Sequence, residues 1–410
     1  MQGALAIFPD KICGIIFNMK IAYIMNMSGG IQGFVYREME YMRKAGTEFC
    51  IYYTKYGSGP YMPNEEYAVL NHNYLNLFMS QIFLMINKPK LFFQLISISI
   101  QSHTFPQFLL SVYFSEHMRK IEIDRIHCTF GGDKLLIGYY CKRILGLRLS
   151  VVVHAYEIED SFTDSTDPKY QFSKIAYRYC DKIVTISNWN KKKMIEKFAL
   201  PAKDIRVIRL CSLMDKGNTK VSSSLSNIAE KDLSFFKILI VGNSFERKGH
   251  EILFQAIHRL NSDKVKLWIV SQGGPIDLRK RIEEMQLEDK VRFFGSVSHQ
   301  QLIEIYKNCD IYCLPAFLTD DGDHEGIPVS IMDAMAFSKP VISTKHTGIP
   351  ELVEEILLEE RDVDGLSDAI VRLMNDRSLC KRMGKRNHQI ISEKYSETNI
   401  QRFMEEIIDV

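Results

Sequence analysis

The chain has 410 residues, which is long for one hydrophobic core and predicts two domains. Hydrophobic residues make up 46% and charged residues 25%, as in an ordinary globular protein, and a net charge of only +2 argues against a nucleic-acid partner. Nine scattered cysteines, of which the closest pair, Cys309 and Cys313, lacks zinc-site spacing, predict free thiols in a reducing cytoplasm. The most apolar run, 91–100, is far shorter than the roughly 20 residues that a transmembrane helix needs.

Short apolar strands alternate with helical patterns through most of the chain. The strands predicted in the first half are Ile21–Met25, Phe49–Tyr53, Arg125–Cys128, Leu149–His154, Lys182–Ile186 and Ile205–Ile208. The strands predicted in the second half are Lys237–Val241, Lys266–Val270, Val291–Phe294, Ile311–Leu314 and Pro340–Ser343. Strands separated by helices form parallel sheets with right-handed crossovers, so we expect two doubly wound α/β domains.

Composition divides the chain into segments. Residues 1–18 lack the basic n-region and the cleavage site of a signal peptide. Because a strand begins just after Met19, we expect Met19 to be the natural first residue and 1–18 to be a leader without function. The other predicted segments are an N-terminal Rossmann-like domain at 19–215, a polar and Ser-rich linker at 216–234, a C-terminal Rossmann-like domain at 235–394 and a final helix at 395–410.

The segment 74–121 is apolar, rich in aromatic residues and poor in acidic ones. One interpretation is that its helices are buried in the first domain. The other is that they present a face to a membrane, where Lys88, Lys90, Arg119 and Lys120 would contact anionic lipids.

Two glycines and two histidines stand out in the first half. Gly29 and Gly30 follow the first strand, where bare backbone can approach a phosphate. Their spacing is not G-x-G-x-x-G, so a nicotinamide site is not predicted. His154 ends a strand, and the carboxyl ends of parallel strands face the ligand in open α/β sheets, so His154 is predicted to bind ligand. His127 is predicted to be structural.

The segment 240–251 follows a strand and opens a helix. Gly242 lets the backbone pass close to a ligand, and Lys248 offers a positive charge to a phosphate. Arg247 adds a second cation, whereas Asn243 is uncharged. We therefore predict a phosphate-binding turn.

The segment 325–336 carries two carboxylates, Glu325 and Asp333, joined by a loop that becomes a helix. The loop consists of Gly326, Ile327, Pro328 and Val329, and it is predicted to bind a diphosphate at the helix N-terminus, where free backbone N–H groups are found.

The stretch 325–336, together with 339–344 and 346–352, resembles the E-x7-E region of retaining glycosyltransferases with the GT-B fold. The similarity is strongest to the family 4 (group 1) enzymes of O-antigen, capsule, lipopolysaccharide and colanic-acid assembly. The segments 34–38, 126–131, 151–158, 242–249 and 293–298 also resemble elements of this family. The resemblance covers nearly the whole chain from Met19 and is strongest over 235–353.

The resemblance implies two facing Rossmann-like domains with a central cleft, and a C-terminal helix that crosses back to the N-terminal domain. The N-terminal domain would bind the acceptor and the C-terminal domain the nucleotide sugar. The expected reaction is glycosyl transfer with retention to a saccharide or lipid-linked saccharide. We expect a cytoplasmic enzyme at the inner face of the plasma membrane, with peripheral membrane contact through 74–121.

Residue roles follow from the same resemblance. Lys248 and Arg247 would hold the donor diphosphate, Glu325 would orient the donor hydroxyls, Asp333 would hold the ribose and His154 would contact the donor sugar.

Three further expectations concern the nucleotide. The backbone of Val297 would contact the base. Asn243 replaces an Arg of the family pattern, and the Asp-Gly-x-Asn-Gly turn that usually follows Pro-Glu-Leu-Val is missing after Val353. The resembled fold needs no obligatory metal, so the acidic run 320–323 is interpreted as a solvated loop and no cofactor is predicted beyond the donor.

Other functions remain open at this point. An epimerase with two Rossmann-like domains would lack the element from Glu325 to Asp333, and a phosphorylase would need a lysine for pyridoxal phosphate. A degenerate glycosyltransferase acting as a membrane scaffold is the non-enzymatic alternative.

Overall fold

The computed structural model describes residues 19–59, 61–63, 67–155, 158, 166–212 and 234–408. The chain divides into two compact units, one made of Met1–Leu210 with Thr398–Val410 and the other of Cys211–Glu397. The leader predicted at 1–18 and nearly all of the linker predicted at 216–234 lie outside the described residues.

The described part of the first unit contains one parallel sheet of seven strands in the order β3-β2-β1-β4-β5-β6-β7. Its strands are β1 (Lys20–Met27), β2 (Glu48–Tyr56), β3 (Ala68–Val69), β4 (Arg125–Thr129), β5 (Arg148–Val153), β6 (Lys182–Thr185) and β7 (Ile205–Val207). Its helices are α1 (Gly33–Lys44), α2 (Tyr74–Asn87), α3 (Pro89–Gln101), α4 (Phe105–Lys120), α5 (Asp133–Leu145), α6 (Pro168–Arg178) and α7 (Asn188–Phe198).

The described part of the second unit contains a parallel sheet of six strands in the order β10-β9-β8-β11-β12-β13. Its strands are β8 (Phe236–Val241), β9 (Val265–Val270), β10 (Val291–Gly295), β11 (Ile311–Leu314), β12 (Val341–Thr344) and β13 (Leu357–Leu358). Its helices are α8 (His250–Leu260), α9 (Leu278–Glu284), α10 (His299–Asn308), α11 (Val329–Ala336), α12 (Val363–Asn375) and α13 (Arg377–Lys394). The two predicted doubly wound α/β sheets are therefore confirmed.

The last helix, α14 (Thr398–Ile408), belongs to the first unit. The prediction that it begins at residue 395 is wrong, because Tyr395 is the C-cap of α13 and its N–H still donates to the carbonyl of Ile391. Glu406 of α14 lies 3.4 Å from Nζ of Lys182 on β6.

Strand β1 shows how the first unit buries its sheet on both faces. Ile21, Tyr23 and Met25 pack on the side of α1 and α14, whereas Ala22 and Ile24 pack on the side of α4 and α5. Successive side chains of a strand point to opposite faces, so a continuous apolar run fills both cores.

The segment 74–121 forms α2, α3 and α4. Helix α4 is largely buried, with Phe108, Phe114 and Met118 each 0% exposed, whereas α2 and α3 each leave large apolar side chains in solvent. The interpretation of buried helices therefore holds for α4, and contact of α2 and α3 with a membrane stays a prediction. None of the helices among the described residues combines the length and apolarity required to cross a bilayer.

Candidate active site

The first part of the site is the turn between β8 and α8. Gly249 follows the 3-10 turn Glu246–Lys248 with a φ of 72°, and a Cβ on it would lie 2.0 Å from the carbonyl oxygen of Pro315. Only glycine fits there. A Cβ on Gly242 would lie 3.3 Å from Cε of Lys248. The side chain of Lys248 therefore runs along the backbone at the end of β8.

The second part is the loop that leads into α11. Glu325, Gly326 and Ile327 precede Pro328, which occupies the N-cap, and Val329 is the first helical residue. Proline suits a helix start because its missing N–H needs no partner there. The predicted transition from loop to helix is therefore present.

The carboxylate of Glu325 joins the two parts. Its Oε2 lies 2.8 Å from Nζ of Lys248, and its Oε1 accepts from Nε of Arg247 at 2.7 Å. Glu325 is only 8% exposed. Burial raises the pKa of this carboxyl, but the charges and hydrogen bonds of Lys248 and Arg247 outweigh burial and lower the pKa below its usual value. The group is therefore held as an anion.

Arg247 links Glu325 to a second carboxylate, because its Nη1 donates to Asp323. The guanidinium carbon also lies 4.4 Å from the centroid of the Phe245 ring. Asp323, whose side chain is 36% exposed, supplies a counter-charge to the site, and the rest of the acidic run lies in solvent as expected. Asp320 pairs instead with Arg361. In the part of the chain that the structure describes, no three His, Cys, Asp or Glu side chains form a metal-binding group.

A pocket of about 410 Å³ lies beside these groups. Its lining includes Gly242, Asn243, Arg247, Lys248 and Val297. The structure therefore brings Val297 to the segment 242–248, which lies about fifty positions earlier in the sequence. A pocket of this size falls in the range of small-molecule sites.

Asp333 lies on the buried side of α11 and is 6% exposed. Burial raises the pKa of the Tyr306 hydroxyl, and the charge of Asp333 raises it further, so the two groups are neighbours. Tyr306 donates to the carbonyl of Ser330 at 3.1 Å, and the Tyr312 hydroxyl bonds Oγ of Ser330 at 2.7 Å. Asp333 thus sits near a tyrosine network, and its role as a ribose ligand stays a prediction.

Sequence reasoning missed the residue that holds the backbone of Glu325. The N–H of Glu325 donates to Nε2 of His346 at 3.1 Å, and Nδ1 of His346 lies 2.6 Å from Oε1 of Glu360. His346 is 1% exposed, and its pKa is lowered mainly by burial, although the hydrogen bond to Glu360 acts in the opposite direction. His346 could have been identified from its position, because it follows the carboxyl end of β12 by two residues.

In the first unit, His154 follows β5 directly and is 8% exposed. Its ring centroid lies 4.7 Å from that of Phe34 and 4.5 Å from that of Phe130. Burial, aided by the charge of Lys134, lowers the pKa of His154 to about 3. The imidazole is therefore neutral at physiological pH and can act in hydrogen bonding but not as a cation. His127 is fully buried, with Nδ1 2.9 Å from Oγ of Ser150, as its predicted structural role requires.

Lys134 is a second residue that sequence reasoning missed. It stands in the first turn of α5, is 6% exposed, and its Nζ lies 5.6 Å from the centroid of the Phe130 ring. The preceding pair, Gly131 and Gly132, at the end of a strand was the signal that could have found it.

The two predicted glycines of the first unit differ. Gly30 has a φ of 77°, and a Cβ on it would lie 2.7 Å from the carbonyl oxygen of Tyr61, which also accepts from the N–H of Ile31 at 2.8 Å. Close packing against Tyr61 therefore explains why residue 30 is a glycine. None of the residues that the structure describes comes within 4 Å of a Cβ placed on Gly29, so these residues leave the space beside Gly29 open.

Two family models match the chain. Residues 28–210 match the model described as Glycosyltransferase Family 4, and residues 223–390 match the model described as Glycosyl transferases group 1.

Two curated relatives match part of the chain. The amylovoran biosynthesis glycosyltransferase AmsK of Erwinia amylovora is 31% identical over 198 residues, which are 47% of this chain and 47% of AmsK. The colanic acid biosynthesis glycosyltransferase WcaL of Escherichia coli (strain K12) is 31% identical over 212 residues, which are 50% of this chain and 49% of WcaL. The matches span about half the length of these relatives.

Solved structures match over nearly the whole chain. Anabaena Alr3699/HepE in complex with UDP superposes with a TM-score of 0.71 at 17% identity, covering 96% of this chain and 100% of the other. Sucrose-phosphate synthase from Thermosynechococcus elongatus superposes with a TM-score of 0.70 at 18% identity, covering 95% and 98%. These likenesses show the GT-B fold. With that fold and with both halves matched by glycosyltransferase models, the chain belongs to the glycosyltransferases of the family 4 and group 1 type.

Proposed function

We propose that the chain is a retaining glycosyltransferase, which moves a sugar from a nucleotide-sugar donor to a lipid-linked saccharide during cell-surface polysaccharide synthesis. The observation that carries this proposal is the convergence of Lys248 and Arg247 on the buried carboxylate of Glu325, beside a pocket that both cations line. An ammonium has three N–H donors, so Lys248 can bind Glu325 and a phosphate oxygen together.

In the proposed reaction, the bond between the anomeric carbon and the diphosphate oxygen breaks, and the acceptor hydroxyl oxygen bonds to the same face of that carbon. The hydroxyl proton passes to the departing nucleoside diphosphate. Lys248 and Arg247 stabilise the negative charge that develops on the diphosphate. The ionised Glu325 orients the donor hydroxyls and faces the positive charge that develops on the sugar.

The remaining roles extend the same proposal. The helix start at Gly326, Ile327, Pro328 and Val329 supports the diphosphate with the positive end of the α11 dipole, so no obligatory metal is proposed. Asp333 is proposed to hold the ribose.

The first unit and the base-binding loop complete these assignments. Val297, which lines the pocket, contacts the base through its backbone. His154 contacts the donor sugar as a neutral imidazole, and the open space beside Gly29 admits a phosphate.

The relatives support the pathway and the donor class. AmsK is named for the biosynthesis of amylovoran and WcaL for that of colanic acid, and both products are polysaccharides. HepE was solved with UDP and with UDP-glucose. We propose a nucleoside-diphosphate sugar of this kind as donor, and an O-antigen, capsule or lipopolysaccharide intermediate as acceptor.

A membrane partner is proposed from the apolar helix face, a name we give to the exposed side chains of α2 and α3. Its large apolar members that are at least 60% exposed are Tyr74 (89%), Leu75 (69%), Phe78 (61%), Ile86 (70%), Phe93 (60%) and Ile100 (60%). No acidic residue occurs between Tyr74 and Ser115, and the exposed Lys88 and Lys90 lie where α2 meets α3. Exposed apolar area with only basic charge fits an anionic phospholipid surface, here the inner face of the plasma membrane.

The test is calorimetric titration of the protein with a panel of UDP-, GDP- and ADP-sugars, followed by turnover with the donor that binds. We expect one donor to bind without added metal and to give a product with the donor's anomeric configuration, as read by NMR. An inverted product would refute the retaining assignment. A folded protein that binds none of the donors would favour the scaffold alternative.

A further inference from the structure

Two consecutive residues, His346 and Thr347, form hydrogen bonds with the backbone N–H and the backbone carbonyl of Glu325. The N–H of Glu325 donates to Nε2 of His346 at 3.1 Å, and the carbonyl of Glu325 accepts from Oγ1 of Thr347 at 2.6 Å. Thr347 has a φ of 44°, a left-handed conformation that a β-branched residue rarely adopts. Strained backbone of this kind persists only where the surroundings enforce it, so the segment 346–347 is closely held.

The hydrogen bond from Glu325 determines the tautomer of His346. A backbone N–H can only donate, so Nε2 of His346 must carry a lone pair and no proton. The proton of the neutral imidazole then resides on Nδ1, which donates to Oε1 of Glu360 at 2.6 Å. Either the other neutral tautomer or the imidazolium would set two donors against each other at Glu325.

Both carboxylate oxygens of Glu360 are in use. Oε1 accepts from His346, and Oε2 accepts from the N–H of Leu318 at 3.0 Å. An amide at this position has only one acceptor oxygen, so Gln could satisfy one donor and would oppose the other. The geometry is therefore specific to a carboxylate.

We propose that His346 and Glu360 are positioning residues for sugar transfer: Glu360 holds His346 as the Nδ1–H tautomer, and that tautomer holds the backbone from which the Glu325 carboxylate reaches Lys248 and Arg247. The inference rests on the proposed function. The groups that face the His346 ring are Glu360, the carboxylate of Glu325, and His324, whose ring centroid is 6.4 Å away.

The matched pair of variants is Glu360→Gln and Glu359→Gln. Both remove one carboxylate, but Glu359 is 71% exposed and pairs with Lys345 at the surface. The first readout is NMR of the full-length protein labelled with ¹⁵N, in which long-range imidazole spectra report the tautomer and the backbone amide of Glu325 reports its hydrogen bond. His346→Gln identifies the His346 signals.

We expect His346 to be the Nδ1–H tautomer in the wild type and in Glu359→Gln. In Glu360→Gln we expect a changed tautomer or an upfield shift of the Glu325 amide. An Nε2–H tautomer in the wild type, or identical spectra for the two variants, would overturn the inference. Neither result depends on whether a sugar donor binds.

The second readout is calorimetric affinity for UDP-glucose. Glu360→Gln should weaken it by about tenfold, the size of one lost hydrogen bond to a charged group, and Glu359→Gln should leave it unchanged. Equal affinity of both variants would overturn the positioning role. If the wild type does not bind UDP-glucose, that result bears on the proposed donor, and the NMR spectra alone decide the His346 inference.

Discussion

Nζ of Lys248 lies 2.8 Å from Oε2 of Glu325, and this ion pair connects the turn before α8 to the loop before α11. The two side chains are only 14% and 10% exposed, so solvent screens them much less than a surface pair. Removing one partner of a buried pair leaves the other charge poorly compensated. The site is therefore a coupled unit, in which a change at either residue acts on the other.

The first prediction concerns this coupling. Lys248→Met and Glu325→Gln should each lower the free energy of unfolding by roughly 1–3 kcal/mol. The double variant should lose less than the sum of the two, by about 1 kcal/mol, because neither charge is then left unpaired. Urea denaturation of the four proteins measures the difference. Strict additivity would contradict the coupling.

The second prediction concerns pH and Glu325. The pKa of Glu325 is lowered in the folded protein, so the unfolded chain binds this proton more tightly. The resulting stability is present above the unfolded pKa of about 4.3 and is lost as the pH falls through the folded pKa. The difference in unfolding free energy between the wild type and Glu325→Gln should therefore decrease as the pH falls from about 5 to about 3. A constant gap would count against the lowered pKa.

The third prediction concerns His154. Burial lowers its pKa to about 3, whereas the unfolded value is about 6.5. As the pH falls below ~6.5, the unfolded chain takes up a proton at this residue and the folded protein does not. The free energy of unfolding therefore falls, by roughly 2 kcal/mol at pH 5. His154→Gln should lose less stability than the wild type between pH 7 and pH 5, by about that amount. His258→Gln, which removes an exposed imidazole, is the control.

The fourth prediction compares two glycines with similar backbone angles. Gly249 has a φ of 72° and Gly146 a φ of 76°. A Cβ on Gly249 would lie 2.0 Å from the Pro315 oxygen, whereas none of the described residues comes within 4 Å of a Cβ on Gly146. Gly146→Ala should cost about 1–2 kcal/mol of unfolding free energy from the left-handed conformation alone. Gly249→Ala should cost clearly more and should weaken donor binding, because Lys248 precedes it. Equal costs in thermal unfolding would show that the Pro315 contact relaxes freely.

The fifth prediction tests the apolar helix face. Phe78→Asp with Ile86→Asp should reduce co-sedimentation with phosphatidylserine-containing vesicles by more than tenfold, since each buried side chain of this size contributes about 1.5–3 kcal/mol. Ile175→Asp is the control, because Ile175 is 51% exposed on α6 and lies outside this face. If the double variant and the control sediment alike, the membrane proposal fails.

The fold class could be predicted from the amino-acid sequence, and so could several side chains that meet at the candidate site. Most strands of both sheets could be predicted because short apolar runs, bounded by polar turns, are typical of parallel strands buried on both faces. The edge strands β3 and β13 were not predicted, because two residues are too few to show a pattern. Gly242, Lys248 and Glu325 stood out because glycine, cation and carboxylate at strand and helix ends are typical of phosphate and sugar sites, and their roles stay predictions. These signals are local along the chain.

The pairing of charges and the exposure of helices depend on contacts between elements that are distant in sequence. Nothing near Arg247 in sequence indicates that its guanidinium bonds Asp323 and Glu325, and nothing near His346 indicates Glu360. Such contacts join side chains from different loops, and their geometry depends on the order of the strands in the sheet. For the same reason, α4 is buried while α2 and α3 expose apolar residues: helix periodicity shows that a face is apolar, but the neighbouring elements decide whether anything covers it.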